Sequence, residues 1–254
     1  MSTRAELMTL FRLAPEADST TLSDANLRII LARGAVDLSL KGRALPKNEK
    51  VNLVANSREH VVSGASPVLS GDDFLSIDLL GGGVLFYDGS RWVGPPEFMP
   101  KTREWLDLND PDWRTRSATT ATPSYWFLDT AENNSANLVV GLSETPSANQ
   151  TDYLWIHFLA RGVLPTDDTH YFWTGSTTQL VHLEPYEMLL VYYALEFFNR
   201  VISHNDSDAD KYRILYEQGA QAMARRMPLA EHLGREGFDV PPYFSRGASG
   251  MGRR

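Results

Sequence analysis

Cysteine is absent from this 254-residue chain. Disulfide bridges, thiol nucleophiles and cysteine-ligated zinc sites are therefore excluded. Positive charge is scarce as well, because 24 Lys and Arg residues stand against 32 Asp and Glu residues, which gives a formal net charge of −8. Affinity for nucleic-acid phosphates comes from clustered Lys and Arg residues. Without such a cluster, the sequence argues against a nucleic-acid-binding protein.

The chain also lacks long apolar segments and the common catalytic motifs. Its longest apolar run covers residues 188–195. A membrane-spanning helix needs roughly 20 residues, so no membrane partner is expected. The sequence contains no phosphate-binding loop, dinucleotide fingerprint, nucleophile elbow or paired-histidine zinc motif. We therefore expect no catalytic residue, no metal, no cofactor and no enzymatic activity.

Two acidic clusters come closest to a metal site. Asp107, Asp110 and Asp112 form the denser cluster, but it lacks the central Gly and the distal Glu of a calcium loop. A second cluster lies at residues 167–170. Helix capping and turn formation are the favoured interpretation of both, and cation binding by residues 107–112 stays open.

Helical periodicity marks both ends of the chain. Thr3 and Glu6 have the spacing of a capping box, and Ser23 can cap a second helix that ends near Gly42. A third helix opens at Glu184-Pro185 and is apolar on almost every side over residues 186–198. Because such a helix has no face left for water, we expect it to need cover from beyond one small bundle.

Strand periodicity occupies residues 50–183. The dipeptide Asp88-Gly89 predicts a hairpin with a return strand at Trp92-Val93. The segment 153–159 is apolar on both faces, which predicts a central strand or one covered from outside its own domain. The candidate strands are residues 51–54, 74–80, 84–87, 125–128, 138–142 and 153–159.

These patterns predict an α+β fold in which a helical bundle is formed from the N- and C-terminal segments. The N-terminal helices cover residues 1–48 and the C-terminal helices cover residues 184–234. An antiparallel β-sheet or sandwich domain is inserted at residues 49–183, and an extended tail covers residues 235–254. The tail contains too little apolar sequence for a core of its own, which is typical of a segment that binds a partner.

The order of short features along residues 20–225 resembles a known family. The amphipathic helix is followed by a strand-rich middle that contains residues 71–75 (Gly-Asp-Asp-Phe-Leu), 105–107 (Trp-Leu-Asp), 111–114 (Pro-Asp-Trp-Arg) and 123–129 (Pro-Ser-Tyr-Trp-Phe-Leu-Asp). Residues 138–140 (Leu-Val-Val), Pro146 and the strand 153–159 come next. The C-terminal part contains residues 183–190 (Leu-Glu-Pro-Tyr-Glu-Met-Leu-Leu), residues 193–195 (Tyr-Ala-Leu) and a final helix with Asp210, Tyr212 and Tyr216. This order is similar to that of the head-to-tail adaptor proteins of tailed bacteriophages that carry a large β insertion between helices.

The resemblance implies a structural virion protein that assembles in the host cytoplasm and resides in the neck between capsid and tail. Copies would form a homo-oligomeric ring, twelve-fold in such adaptors, between the portal protein and the tail, nozzle or tail-tube proteins. DNA would only pass through the channel, without stable binding. The expected subunit-interface residues are Tyr153, Trp155, Tyr186, Leu190, Tyr193 and Phe197. The expected portal-binding residues are Arg235, Pro241, Pro242, Tyr243, Phe244 and Arg246.

Three alternatives stay open at this point. The ring could sit elsewhere in the neck, as a head-completion or tail-terminator protein does. The insertion could be a β-sandwich carbohydrate- or receptor-binding tail component that uses exposed aromatic residues. The chain could also be a metal-assisted hydrolase that uses the cluster at residues 107–112. The aromatic residues considered for the sugar site are Trp92, Trp113 and Trp126.

Overall fold

The computed structural model describes residues 2–14, 22–64, 69 and 74–226. Five α-helices occur in the described part of the chain: α1 (Arg4–Arg12), α2 (Asp24–Lys41), α3 (Arg103–Asn109), α4 (Met188–Phe197) and α5 (Asp206–Arg226). The strands are β1 (Pro46–Leu53), β2 (Glu59–Ser63), β3 (Phe74–Ile77), β4 (Val84–Tyr87), β5 (Trp92–Val93), β6 (Met99–Pro100), β7 (Tyr125–Ala131), β8 (Asn134–Leu142) and β9 (Gln150–Ala160). The predicted α+β class is therefore confirmed.

The strands form two sheets. The first has the order β1-β9-β4-β5, with β3 also paired to β9, and the second has the order β2-β8-β7-β6. Most described pairings are antiparallel, but β6 runs parallel to β7. The hairpin predicted at Asp88-Gly89 is present, since Tyr87 pairs with Trp92 and Phe86 with Val93. Of the two alternatives for residues 153–159, the central strand is the one present, because β9 lies between β1 and β4.

The chain divides into two compact units. The helical unit comprises the described residues within Met1–Lys47, Asp73–Ser76 and Phe158–Met227, and the sheet unit comprises those within Asn48–Asp72 and Ile77–His157. Residues 158–183, which the sequence placed in the insertion, cluster with the helices instead. Phe172 and Trp173 are buried in the helical core, and the Trp173 indole Nε1 donates to Ser39 Oγ of α2 at 2.9 Å.

Local sequence signals explain where the N-terminal helices begin and end. The Thr3 side chain and Glu6 form the predicted capping box of α1, and Ser23 caps α2 by accepting from the Asn26 backbone N–H. Helix α2 ends at Lys41, and Gly42 is its C-cap. Its inner face is completely buried and consists of Leu27, Ile30, Leu31, Gly34, Ala35, Leu38 and Ser39.

The expectation that α4 needs cover from outside its own bundle is wrong for most of its circumference. Helices α1, α2 and α5 all pack against α4 within the helical unit. Gly34 permits close approach of α2, because a Cβ there would lie 2.9 Å from Tyr193 Cδ1, and Gly219 does the same for α5 at Leu189. The side chains enclosed in this way are Leu189, Leu190, Val191, Ala194 and Leu195.

Candidate assembly surfaces

The predicted interface residues of β9 belong to an aromatic surface of the sheet unit. Side chains alternate along a strand, so Leu154 and Ile156 face inward and are fully buried, whereas Tyr153 and Trp155 lie on the other face and are half-buried. In the neighbouring hairpin, Tyr87 of β4 pairs with Trp92 of β5 and both are half-buried. We call Tyr87, Trp92, Tyr153 and Trp155 the aromatic strip.

The rings of the aromatic strip hold one another in place. Ring centroids are 5.4 Å apart for Trp92 and Trp155, 5.3 Å for Tyr87 and Trp92, and 5.4 Å for Tyr87 and Tyr153. The Lys50 ammonium lies 5.4 Å from the ring centroids of both tryptophans. These contacts restrict the side chains within the single chain, and Tyr and Trp residues are enriched at protein–protein interfaces.

The predicted interface residues of the helical unit lie in different environments. Tyr186 and Leu190 have exposed fractions of 9% and 0%, so they belong to the core and present no contact surface in this structure. Tyr193 is half-buried beside Gly34 and Tyr216, and Phe197 is also half-buried. Of the six predicted interface residues, the structure brings together Tyr153 and Trp155. Their ring neighbours Tyr87 and Trp92 were not assigned to an interface from the sequence.

The acidic cluster at residues 107–112 is held by arginines. Asp107 accepts from Trp113 Nε1 at 2.8 Å and from Arg114 Nε at 2.9 Å, and Asp110 pairs with Arg116. Hydrogen bonds from Arg114 and then from Trp113 lower the pKa of Asp107. Within the described ranges, no group of three His, Asp or Glu side chains is placed to hold a metal ion. These contacts favour the capping and turn interpretation.

The second acidic cluster fastens a loop to the start of α1. Asp168 pairs with Arg4 at 2.8 Å and with Arg28 at 2.7 Å. Arg4 Nη1 also donates to the Pro165 carbonyl oxygen at 2.6 Å. The Asp167 carboxylate accepts a hydrogen bond from the Thr169 backbone N–H at 2.8 Å. This bond, together with one from the Thr169 hydroxyl, lowers the pKa of Asp167. These acids therefore serve turn and ion-pair contacts.

Two of the three tryptophans considered for a sugar site are enclosed. Trp113 is 0% exposed and Trp126 is 4% exposed, so neither can offer a ring face to a saccharide. The Trp113 ring instead packs on Phe127 at 5.4 Å and lies beneath the Arg58 guanidinium at 4.8 Å. Only Trp92 reaches the surface, as part of the aromatic strip.

Two histidines of the sheet unit are buried. His60 on β2 and His157 on β9 have exposed fractions of 2% and 3%. The Nε2 atom of each has no hydrogen-bond partner within the part of the chain that the structure describes. Burial lowers the pKa of both imidazoles to about 4, although the nearby Asp78 partly opposes the change at His157. Both rings are therefore neutral at pH 7.

No family model matches the chain, and no curated protein is significantly similar to it in sequence. None of the described helices is both long enough and apolar enough to cross a membrane. The predicted portal-binding residues Arg235, Pro241, Pro242, Tyr243, Phe244 and Arg246 lie outside the described residues.

Proposed function

We propose that this protein is a structural subunit of the tailed-bacteriophage neck, a head-to-tail adaptor that joins the portal to the tail and has no enzymatic activity. Copies form a homo-oligomeric ring, with the portal protein on one side and tail, nozzle or tail-tube proteins on the other. The order of sequence features supports the adaptor assignment. The aromatic strip is the structural observation that supports an assembly role for the chain.

The aromatic strip supports an assembly role because part of its apolar surface remains exposed to solvent. Four large aromatic side chains are half-buried on one face of a sheet whose other face, at Leu154 and Ile156, is completely enclosed. Burying the remaining apolar area contributes about 25 cal/mol per Å². Tyr and Trp are also the residues most enriched among interface hot spots. A protein partner would therefore gain more from this face than from a typical charged surface.

The charge of the chain is consistent with a channel component. The chain carries a net charge of −8, and an acidic subunit is compatible with a ring through which DNA passes without being retained. The hydrolase alternative receives less support, because Asp107 and Asp110 are already engaged by arginines.

The test is reconstitution of the neck. Purified protein is added to portal-bearing heads that lack the neck, and class averages of the particles are examined by electron microscopy. Wild-type protein is expected to form a collar, whereas the double variant Trp92→Ala/Trp155→Ala stays unassembled. Leu108→Ala is the matched control, because Leu108 is 82% exposed in the same unit and outside the strip. Circular dichroism verifies that each variant is folded.

Each outcome of this experiment has a clear meaning. If the folded double variant forms the collar as well as wild type does, the aromatic strip does not carry assembly. If the wild-type protein never joins the heads, the adaptor function is wrong. Wild-type protein that does not join these heads but joins particles that already carry the portal-proximal part of the neck would support the head-completion or tail-terminator alternative.

A further inference from the structure

Helix α2 is apolar on two opposite sides. Its inner face lies in the core of the helical unit, but Ile29 and Leu40 on the solvent side have exposed fractions of 53% and 41%. Val36 is half-buried between them, and Arg33 is exposed. We call Ile29, Arg33, Val36 and Leu40 the outer strip of α2.

The spacing of the outer strip indicates what kind of surface would cover it. Its four residues follow one another at intervals of four, three and four, which is the repeat of a helix that packs along another helix. At 1.5 Å per residue the strip is about 16 Å long. A single charged residue inside such a strip, here Arg33, is typical of positions that fix the register between two packed helices and add little to their stability.

A second apolar face lies on another side of the same unit, between α4 and α5. Met188 and Leu215 have exposed fractions of 40% and 38%, and the Tyr192 and Tyr212 rings stack at 6.1 Å between centroids. We call Met188, Tyr192, Tyr212 and Leu215 the tyrosine groove. Met188 lies about 140° around α4 from Tyr193, the residue that contacts α2. The groove and the outer strip therefore face in different directions.

Charge also matches between the two faces. Asp208 is half-buried one helical turn before Tyr212 on the same side of α5, where it accepts from Asn205 Nδ2 at 2.7 Å. It places a carboxylate at the groove for the guanidinium of Arg33. Lys211 is a cation at the groove margin, where it lies over the Tyr212 ring at 5.3 Å, so the charge match rests on Asp208 alone.

We infer that the outer strip of α2 in one copy packs into the tyrosine groove of a second copy, head to tail. One copy cannot use both faces on itself, because they point away from each other. A head-to-tail contact covers both faces at once and repeats from copy to copy, as a closed ring requires. The inference deepens the proposed function, and it depends on that function only for closure of the contact into a ring.

The absence of cysteine from the chain allows a direct test by disulfide crosslinking. Three full-length variants carry one cysteine in the strip: Ile29→Cys, Val36→Cys or Leu40→Cys. Each is mixed with Leu215→Cys at about 100 µM and oxidised. Leu215→Cys is then replaced by Ile214→Cys, the matched control, since Ile214 is 51% exposed and lies about 100° away on the same helix.

The expected result is a mixed dimer of at least one strip variant with Leu215→Cys. We expect about tenfold more of it than with Ile214→Cys, because paired cysteines share a local concentration in the millimolar range. The inference is overturned if the strip variants crosslink equally well to Ile214→Cys, or if they form dimers mainly with themselves. It is also overturned if no strip variant gives a mixed dimer with Leu215→Cys. If the protein forms a collar on heads but gives no mixed dimer, the inferred contact is wrong and the adaptor function stands. If it gives the mixed dimer but forms no collar, the contact stands and the adaptor function is wrong.

Discussion

Acidification from pH 7 to pH 5 should destabilise the sheet unit through His60 and His157. In the folded chain both imidazoles have a pKa of about 4 because burial disfavours the charged ring. In the unfolded chain a histidine has its ordinary pKa of about 6.5. Between these two values the unfolded state binds more protons than the folded state. Stability is therefore fully present above pH 6.5 and is lost as the pH falls toward 4.

The size of the loss follows from the same two pKa values. At pH 5 an unfolded imidazole is almost completely protonated, whereas a folded one with a pKa of about 4 is mostly neutral. The difference between pH 7 and pH 5 is about 2 kcal/mol for each histidine, or about 4 kcal/mol for both. That is a large fraction of the 5–15 kcal/mol that stabilises a typical domain.

The assay is urea unfolding at a series of pH values, followed by tryptophan fluorescence, since Trp92, Trp113, Trp126 and Trp155 all lie in the sheet unit. A single His60→Gln or His157→Gln substitution should remove about half of the pH dependence between pH 7 and 5. The control is substitution of the exposed His182, which lies in the helical unit and should leave the response of the sheet unit as in wild type. A free energy of unfolding that stays constant from pH 7 to pH 5 would refute the reasoning.

Three further predictions concern packing, hydrogen bonding and metal binding. Gly141→Ala should cost about 3 kcal/mol or more in unfolding free energy, because the new Cβ would lie 2.0 Å from Cζ of the buried Phe127; thermal unfolding measures this, and an unchanged midpoint would contradict it. Tyr216→Phe should cost about 1–2 kcal/mol, since the phenol donates to the Asp37 carboxylate at 2.6 Å, and urea unfolding with no loss would show that this bond is dispensable. Millimolar Ca²⁺ should not raise the unfolding temperature, because Asp107 is occupied by its indole and guanidinium donors; a rise that Asp107→Asn abolishes would reveal a cation site.

Short-range signals predicted the elements that depend on neighbouring residues. The capping box at Thr3 and Glu6, the cap at Ser23 and the hairpin at Asp88-Gly89 all involve groups at most a few residues apart. Strands β2 and β6 and helix α3 were missed. Helix α3 has only seven residues, although its Thr102 cap is readable from the sequence, and β2 is a short strand whose pairing partner, β8, lies far along the chain.

The candidate surfaces depended more strongly on distant contacts. Tyr153 and Trp155 were predicted from the apolar character of their strand, but their neighbours Tyr87 and Trp92 follow from the pairing of β4 with β9. The sequence predicted Leu190 at a subunit interface, but its side chain is completely buried in the helical unit. A helix that is apolar on all sides can be buried by other helices of its own chain or by a second chain, and its composition is the same in both cases. Only the packing of the folded chain distinguishes them.

By itself, the sequence determined the α+β class, the capped ends of the N-terminal helices, the strand at residues 153–159 and the absence of thiol chemistry. These properties follow from residue type and from contacts within a few positions. Only the tertiary structure decided that most of α4 is enclosed by its own unit and that residues 158–183 cluster with the helices. It also decided that the aromatic strip and the outer strip of α2 remain partly uncovered. Burial is a property of the packed chain as a whole, because it depends on which distant segments meet.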